Sequence, residues 1–244
     1  MLSQTDLVDI WETGQPQHGV DRALTILAQA DPTHSRHDFA DFPIGERDRR
    51  LLDIREQSLG HTIKSMATCP RCSERVEFVF DTANVRTPPS SADEDKDGFK
   101  LVDENYVINF RLLTSWDLAA IAACTDEMTA TSLLIKRCVL GVDRNGISQD
   151  IAEVPDRIIQ QLQKTISERD PQAEILLDLK CPACEAQWQL LFDIAAFLWE
   201  EIATQAERLL DEVHTLAGAY GWAEKEILAL SPVRRRYYIE RITL

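Results

Sequence analysis

Cys69-Pro70-Arg71-Cys72 and Cys181-Pro182-Ala183-Cys184 are two copies of one short motif, and each is followed by a Phe-Asp pair, Phe80-Asp81 and Phe192-Asp193. The cysteines, the prolines, the Phe-Asp pairs and an alanine two residues further on (Ala83, Ala195) all fall into register at an offset of 112 residues. That is an internal repeat, not a pair of chance matches. Each copy offers two thiolates, and a closed structural zinc shell takes four. The sequence therefore predicts one zinc site made by Cys69, Cys72, Cys181 and Cys184, closed from two distant segments.

A Cys-Pro-x-Cys turn points both sulfurs to one side of a tight knuckle. After the first copy, Val76, Phe78 and Phe80 alternate with Arg75, Glu77 and Val79, as one strand of a zinc-ribbon hairpin would. The second copy has a strand before its knuckle as well, over residues 175–179 (Ile-Leu-Leu-Asp-Leu). A redox CxxC is expected once, at a helix N-terminus beside a βαβ pattern, and structural disulfides want an oxidising compartment. Neither pattern is present. Cys124 and Cys138 sit in apolar helical runs and read as buried thiols.

Most of the remaining chain reads as helix. Leu7, Ile10 and Trp11, then Ala23, Leu24, Leu27 and Ala28, recur at helical spacing, with Gly14-Gln15-Pro16 as a break and Asp31-Pro32 as a stop. A further helix starts after Pro43-Ile44-Gly45 and runs toward the first knuckle. Residues 87–98 have the composition of an acidic, flexible linker. Residues 106–112 read as a strand, Ser115 as an N-cap, and 115–124, 127–140 and 155–168 as helices. From Asp193, Ile194, Leu198, Ile202, Ala206, Leu209, Val213, Leu216 and Tyr220 keep one apolar stripe for about seven turns. Gly221 should stop that helix, and two short helices follow, the last behind Ser231-Pro232.

The expected fold is α+β and mainly helical, with two zinc-ribbon-like hairpins joined by one zinc and a long C-terminal helix. The expected segments are 1–86, 87–98, 99–191 and 192–244, with the knuckles packing as one unit.

The chain has 244 residues and a net charge of −15. Binding nucleic acid through phosphates needs a basic face, and the densest basic cluster is only Arg234-Arg235-Arg236. The balance favours a protein partner. Asp6, Asp9 and Glu12 stand where a signal peptide would be basic, and no apolar run approaches a membrane span. The expectation is a cytoplasmic protein that contacts no membrane. There is no phosphate loop, no nucleophile elbow and no His-Glu-x-x-His, so no enzyme is expected. Candidate partner contacts are Trp11, Trp222, Tyr237 and Tyr238, with Arg234, Arg235 and Arg236 read either as a solvated face or as a contact to an acidic surface.

Several groups of residues carry a family resemblance. Trp11-Glu12 with Gly14, Arg22-Ala23-Leu24, Pro43-Ile44-Gly45 with Arg47-Asp48, the two knuckles, and residues 171–174 are similar to the baseplate hub assembly proteins of T-even-type phages and related contractile injection systems. So are Phe192-Asp193-Ile194 with Phe197-Leu198-Trp199, His214, residues 219–222 and residues 226–232 with Arg234-Arg235. The resemblance implies a non-enzymatic assembly factor or hub component, working in the bacterial host cytoplasm with hub, spike or other tail proteins. The alternative reading is a zinc-ribbon protein associated with nucleic acid or transcription. Glu74, Glu77, Asp178 and Glu185 around the knuckles speak against it.

Overall fold

The first knuckle closes a hairpin of β1 (Thr62–Thr68) and β2 (Arg75–Asp81), and the second closes a hairpin of β7 (Leu176–Lys180) and β8 (Gln187–Leu191), both antiparallel. The computed structural model describes residues 1–87, 98–103 and 105–242. Most of the expected linker, residues 88–97, lies outside the described residues.

Four helices precede the first hairpin: α1 (Gln4–Gly14), α2 (Gly19–Ala30), α3 (Arg36–Ala40) and α4 (Ile44–Leu59). The break at residues 14–16 and the stop at Asp31 fall where expected. The short α3 was not anticipated, although Ser35 and Asp38 form a reciprocal capping box. Helix α4 does not continue to the knuckle. It ends before Gly60, whose φ of 93° leaves the helical region, and β1 fills the gap because a knuckle between two strands needs a partner for β2.

Between the hairpins lie β3 (Phe99–Asp103), β4 (Tyr106–Phe110), α5 (Ser115–Ile121), α6 (Glu127–Cys138), β5 (Val139–Arg144), β6 (Ile147–Gln149) and α7 (Asp156–Arg169). The four strands form one antiparallel sheet in the order β3-β4-β5-β6. The helix expected over 127–140 stops at Cys138 because Val139 and Leu140 open β5. The β5–β6 turn carries Asn145 and Gly146 at φ 54° and 80°, the left-handed pair that a tight hairpin favours. Thr114, not Ser115, caps α5, with Asp117 Oδ2 accepting from the Thr114 N–H at 2.9 Å.

The C-terminal region is α8 (Ile194–Tyr220), α9 (Glu224–Leu228) and α10 (Pro232–Ile242). The predicted stripe of α8 is buried from Ile194 to Leu216, while Tyr220 is exposed, and Gly221 ends the helix in the left-handed conformation. Among the described residues no helix is long and apolar enough to cross a membrane.

Buried side chains form two large clusters. One joins α1, α2, α4, α8 and α9 with Ile63, Ile175 and Phe192 at the bases of the hairpins. The other lies within residues 99–166. Ile175 thus shares a cluster with Phe192 and the long helix across the expected boundary at 192. The start of α4 is held by the residue that follows α7. Pro43 provides no side-chain cap there, and Asp170 supplies one, its Oδ2 accepting from the Gly45 N–H at 2.9 Å. A Cβ on residue 45 would lie 1.9 Å from Asp170 Oδ1 and would push the capping carboxylate away. Trp116 Nε1 donates to Asp41 Oδ1 at 2.8 Å across the same junction.

Gly14 has a similar reason. A Cβ there would lie 2.2 Å from the buried Trp199 ring. Arg22 closes this corner, its guanidinium 4.3 Å from the Trp199 ring centroid and its Nε donating to the Gly14 carbonyl at 3.0 Å. Gly14→Ala should overpack α1 against α8 and cost about 1–3 kcal/mol. Thermal or urea melts check this, and an unchanged midpoint would mean that the indole can move aside.

Candidate metal centre

Each knuckle is built by the same backbone bonds. In the first, the Cys69 N–H donates to the Glu74 carbonyl at 2.8 Å and the Ser73 N–H to the Cys69 carbonyl at 2.9 Å. In the second, the Cys181 N–H donates to Ala186 at 2.9 Å and the Glu185 N–H to Cys181 at 3.0 Å. Ser73 and Glu185, the residues after each second cysteine, hold φ at 61° and 59°. L-residues adopt that conformation only where the surroundings impose it.

The rest of the repeat is equally structural. Phe80 and Phe192 pack edge to face with centroids 5.1 Å apart, bringing the two hairpins together. Asp81 Oδ1 accepts from the Ala83 N–H at 2.9 Å and caps a single 3-10 turn. Asp193 Oδ1 accepts from Ala195 at 2.9 Å and caps α8. One four-residue signal starts a short turn in one copy and the longest helix in the other.

The knuckles meet although Cys72 and Cys181 are 109 residues apart in sequence. Sulfurs of opposite knuckles approach closely, Cys69 to Cys184 at 3.7 Å and Cys72 to Cys181 at 3.6 Å, and all four lie within 4.8 Å of one another. A disulfide needs about 2.05 Å, so these are free thiols. Four sulfurs around a tetrahedral ion at about 2.3 Å stand roughly 3.8 Å apart, and this cluster has that size. Cys69 and Cys181 are buried beside Val76, Ala186 and Trp188, Cys184 is half-buried, and Cys72 is exposed.

The electrostatics also ask for a cation. Burial disfavours ionisation of Cys69, but the N–H groups of Cys72 and Arg71 and the Cys72 and Cys184 thiols outweigh it and bring the group down to about 7. At Cys72 the Glu74 N–H favours the thiolate, yet the Cys184 thiol, desolvation and the Cys181 and Cys69 thiols push it up to about 12. One negative sulfur is tolerated; four within this radius repel one another unless a positive ion stands between them. The donor set therefore fits a soft, tetrahedral metal ion. Among the described residues no other group of His, Cys, Asp or Glu side chains converges in this way.

The remaining thiols are not part of the site. Cys138 is buried, and burial followed by the Asp117 carboxylate pushes it up to about 11, as expected for an inert core thiol. Cys124 is half-buried in the loop after α5, not within a helix.

The candidate contact residues separate into two groups. Arg235 is only 2 % exposed, which overturns its reading as a solvated or partner-facing cation. It lies against α8 and α1, donating from Nε to Glu212 Oε2 at 2.6 Å and from Nη1 to the Leu230 carbonyl at 2.7 Å, with Gln4 as a further acceptor. Trp11 is partly buried against the main core. Trp222 stacks on Tyr220 at 4.8 Å and meets Tyr238 edge-on at 4.9 Å, so both are largely occupied within the chain. Arg234, Arg236 and Tyr237 remain exposed, together with Val233, which sequence reasoning passed over.

The chain is thus a largely helical body whose distant hairpins converge on four thiols that could hold a metal ion. Residues 10–199 match the family model described as T4 bacteriophage base plate protein, and the chain belongs to that family. The match takes in both knuckles and ends at Trp199, so the resemblance noted over residues 214–235 lies beyond it. No curated protein and no solved structure matches the chain.

Proposed function

We propose that this chain is a non-enzymatic assembly factor or component of the baseplate hub of a phage-like contractile tail or injection system. It works in the bacterial host cytoplasm through contacts with hub, spike or other tail proteins. One zinc ion, held by Cys69, Cys72, Cys181 and Cys184, joins the two hairpins. Bound zinc supplies positive charge that lets all four thiolates exist together, and a fully thiolate shell leaves no open position for substrate. The observation that carries the reading is the convergence of the four thiols in a member of a baseplate family.

The outer face of α10 is the proposed contact surface. Arg235 of the same helix is buried, so point substitutions on the outer face test the surface better than removal of the helix. Arg234→Glu combined with Tyr237→Glu changes only exposed side chains and should leave helicity and metal content intact. In cells making the particle, the tagged protein should co-purify hub or spike proteins, and the double variant should lose that enrichment by about tenfold or more. Undiminished enrichment and normal particle yield would refute the assignment of this face.

A further inference from the structure

The middle of the chain carries a groove that no described residue fills. It lies between α6 and the start of α7, with a volume of about 750 Å³. Ile135, Ile151, Val154 and Ile159 line its floor. Met128 stands at its edge, 82 % exposed. The first two turns of α6 bury nothing fully, because only Ile135 and Cys138 of that helix reach the core. Asp126 and Glu127 on one side and Asp156 on the other make the rim mainly acidic, against the single base Lys136.

The same chain displays a ridge of the opposite character. On α10, Val233 and Tyr237 are one turn apart on one face, 79 % and 53 % exposed. Arg234 and Arg241 flank that face on one side and Arg236, paired with the exposed Glu240 at 3.1 Å, on the other, so three bases stand against one acid; the Arg241 guanidinium lies over the Tyr237 ring, 5.0 Å from its centroid. The inner face of α10 is fixed to α8 and α1 through Arg235, so the ridge points outward and, among the described residues, nothing covers it.

We infer that the α6–α7 groove receives the α10 ridge of a second copy of this chain, with the basic flanks of the ridge against the acidic rim of the groove. In a chain of net charge −15, α10 carries the densest basic cluster, and the groove is an apolar cleft bordered by carboxylates. The mode is helix-in-groove recognition. Because ridge and groove are different surfaces, the contact is head to tail and gives a ring if the rotation closes and a filament if it does not. The inference rests on the proposed role of the α10 face and names its partner.

Sedimentation velocity on the full-length protein, at rising concentration and at low and high salt, tests it. The expected result is concentration-dependent association that salt weakens, since the charge pairs are exposed. Met128→Glu or Val233→Glu should each weaken association by about tenfold or more, by setting a carboxylate against the apolar contact. The decisive measurement is a charge exchange. Glu127→Arg with Asp156→Arg in one chain, and Arg234→Glu with Arg236→Glu in another, should each fail to self-associate and should associate when mixed. A monomer under all conditions would overturn the inference, as would association that Met128→Glu leaves unchanged. If the tail variants lose hub proteins in cells while the wild type remains monomeric, the α10 face meets another tail protein; the proposed function then stands and the second copy as partner is refuted.

Discussion

Chelation at neutral pH under reducing conditions should separate the two hairpins and remove most of the cooperative fold, and serine at any one of Cys69, Cys72, Cys181 or Cys184 should do the same. The four substitutions should be nearly equivalent because the sulfurs belong to one cluster, all within 4.8 Å. Structural zinc typically contributes on the order of 10 kcal/mol of apparent binding energy to folding, comparable with the whole stability of a typical domain. A zinc staple here would also close a loop of more than a hundred residues between the knuckles, so its loss would free a long segment of chain. Metal analysis of protein purified without chelator should give one zinc per chain, and circular dichroism should show a large fall in melting midpoint on its removal. Cys124→Ser should change little and is the control. Reductant alone should have no effect; if it unfolds the protein while chelator does not, the sulfurs work as disulfides and the zinc assignment is wrong.

The knuckles were legible because they are local chemistry repeated at a fixed offset. The structure shows what that repeat encodes: the left-handed Ser73 and Glu185, the facing Phe80 and Phe192, and the capping Asp81 and Asp193. Helix α8 was legible because a stripe held over many turns has no other simple reading. Short strands were harder. In β1 only Ile63 and Ala67 are buried, too few to outweigh the helical reading that precedes them. The hairpin of β5 and β6 carried an Asn-Gly signal at Asn145-Gly146 that the helical run before it obscured. Burial of charge was not legible: Arg235, expected in a solvated or partner-facing cluster, lies inside. Arg235, Arg55 and Arg47 are all nearly inaccessible, and nothing local distinguishes a buried guanidinium from a solvated one. The side-chain acceptors come from far along the chain, Glu212 and Gln4 for Arg235 and Glu201 for Arg55, while the nearer Leu230, Gly60 and Thr62 acceptors are carbonyls that carry no sequence signal. Only the neighbouring partner Asp48, 2.7 Å from the Arg47 Nε, lay within sight of a sequence reading.

Arg55→Met should be the most damaging substitution outside the thiol cluster. Arg55 is 3 % exposed on α4, and its guanidinium joins three elements. Nη1 donates to the Gly60 carbonyl at 2.5 Å, and Nη2 to the Thr62 carbonyl at 2.8 Å, fixing the turn from α4 into β1. Nε and Nη2 grip Glu201 of α8 in a fork at 3.1 and 2.9 Å. Methionine fills much of the same space, so the loss is not a cavity but a set of stranded acceptors: two carbonyls at a chain reversal and a largely buried carboxylate. Breaking a buried pair from one side typically costs about 3–5 kcal/mol, a large share of the stability of an ordinary domain. Lysine should not rescue it, because one ammonium cannot reproduce the planar fork that serves Glu201 and the two carbonyls together. Removing both charges, Arg55→Met with Glu201→Leu, should recover part of the loss, since the double change no longer leaves Glu201 unpaired. Urea denaturation of the three variants measures this. Equal stability of Arg55→Lys and wild type would show that the interaction is a simple charge pair. A double variant no better than Arg55→Met would instead place the cost in the Gly60 and Thr62 carbonyls, and with it the setting of β1, the strand that carries the first knuckle to the second.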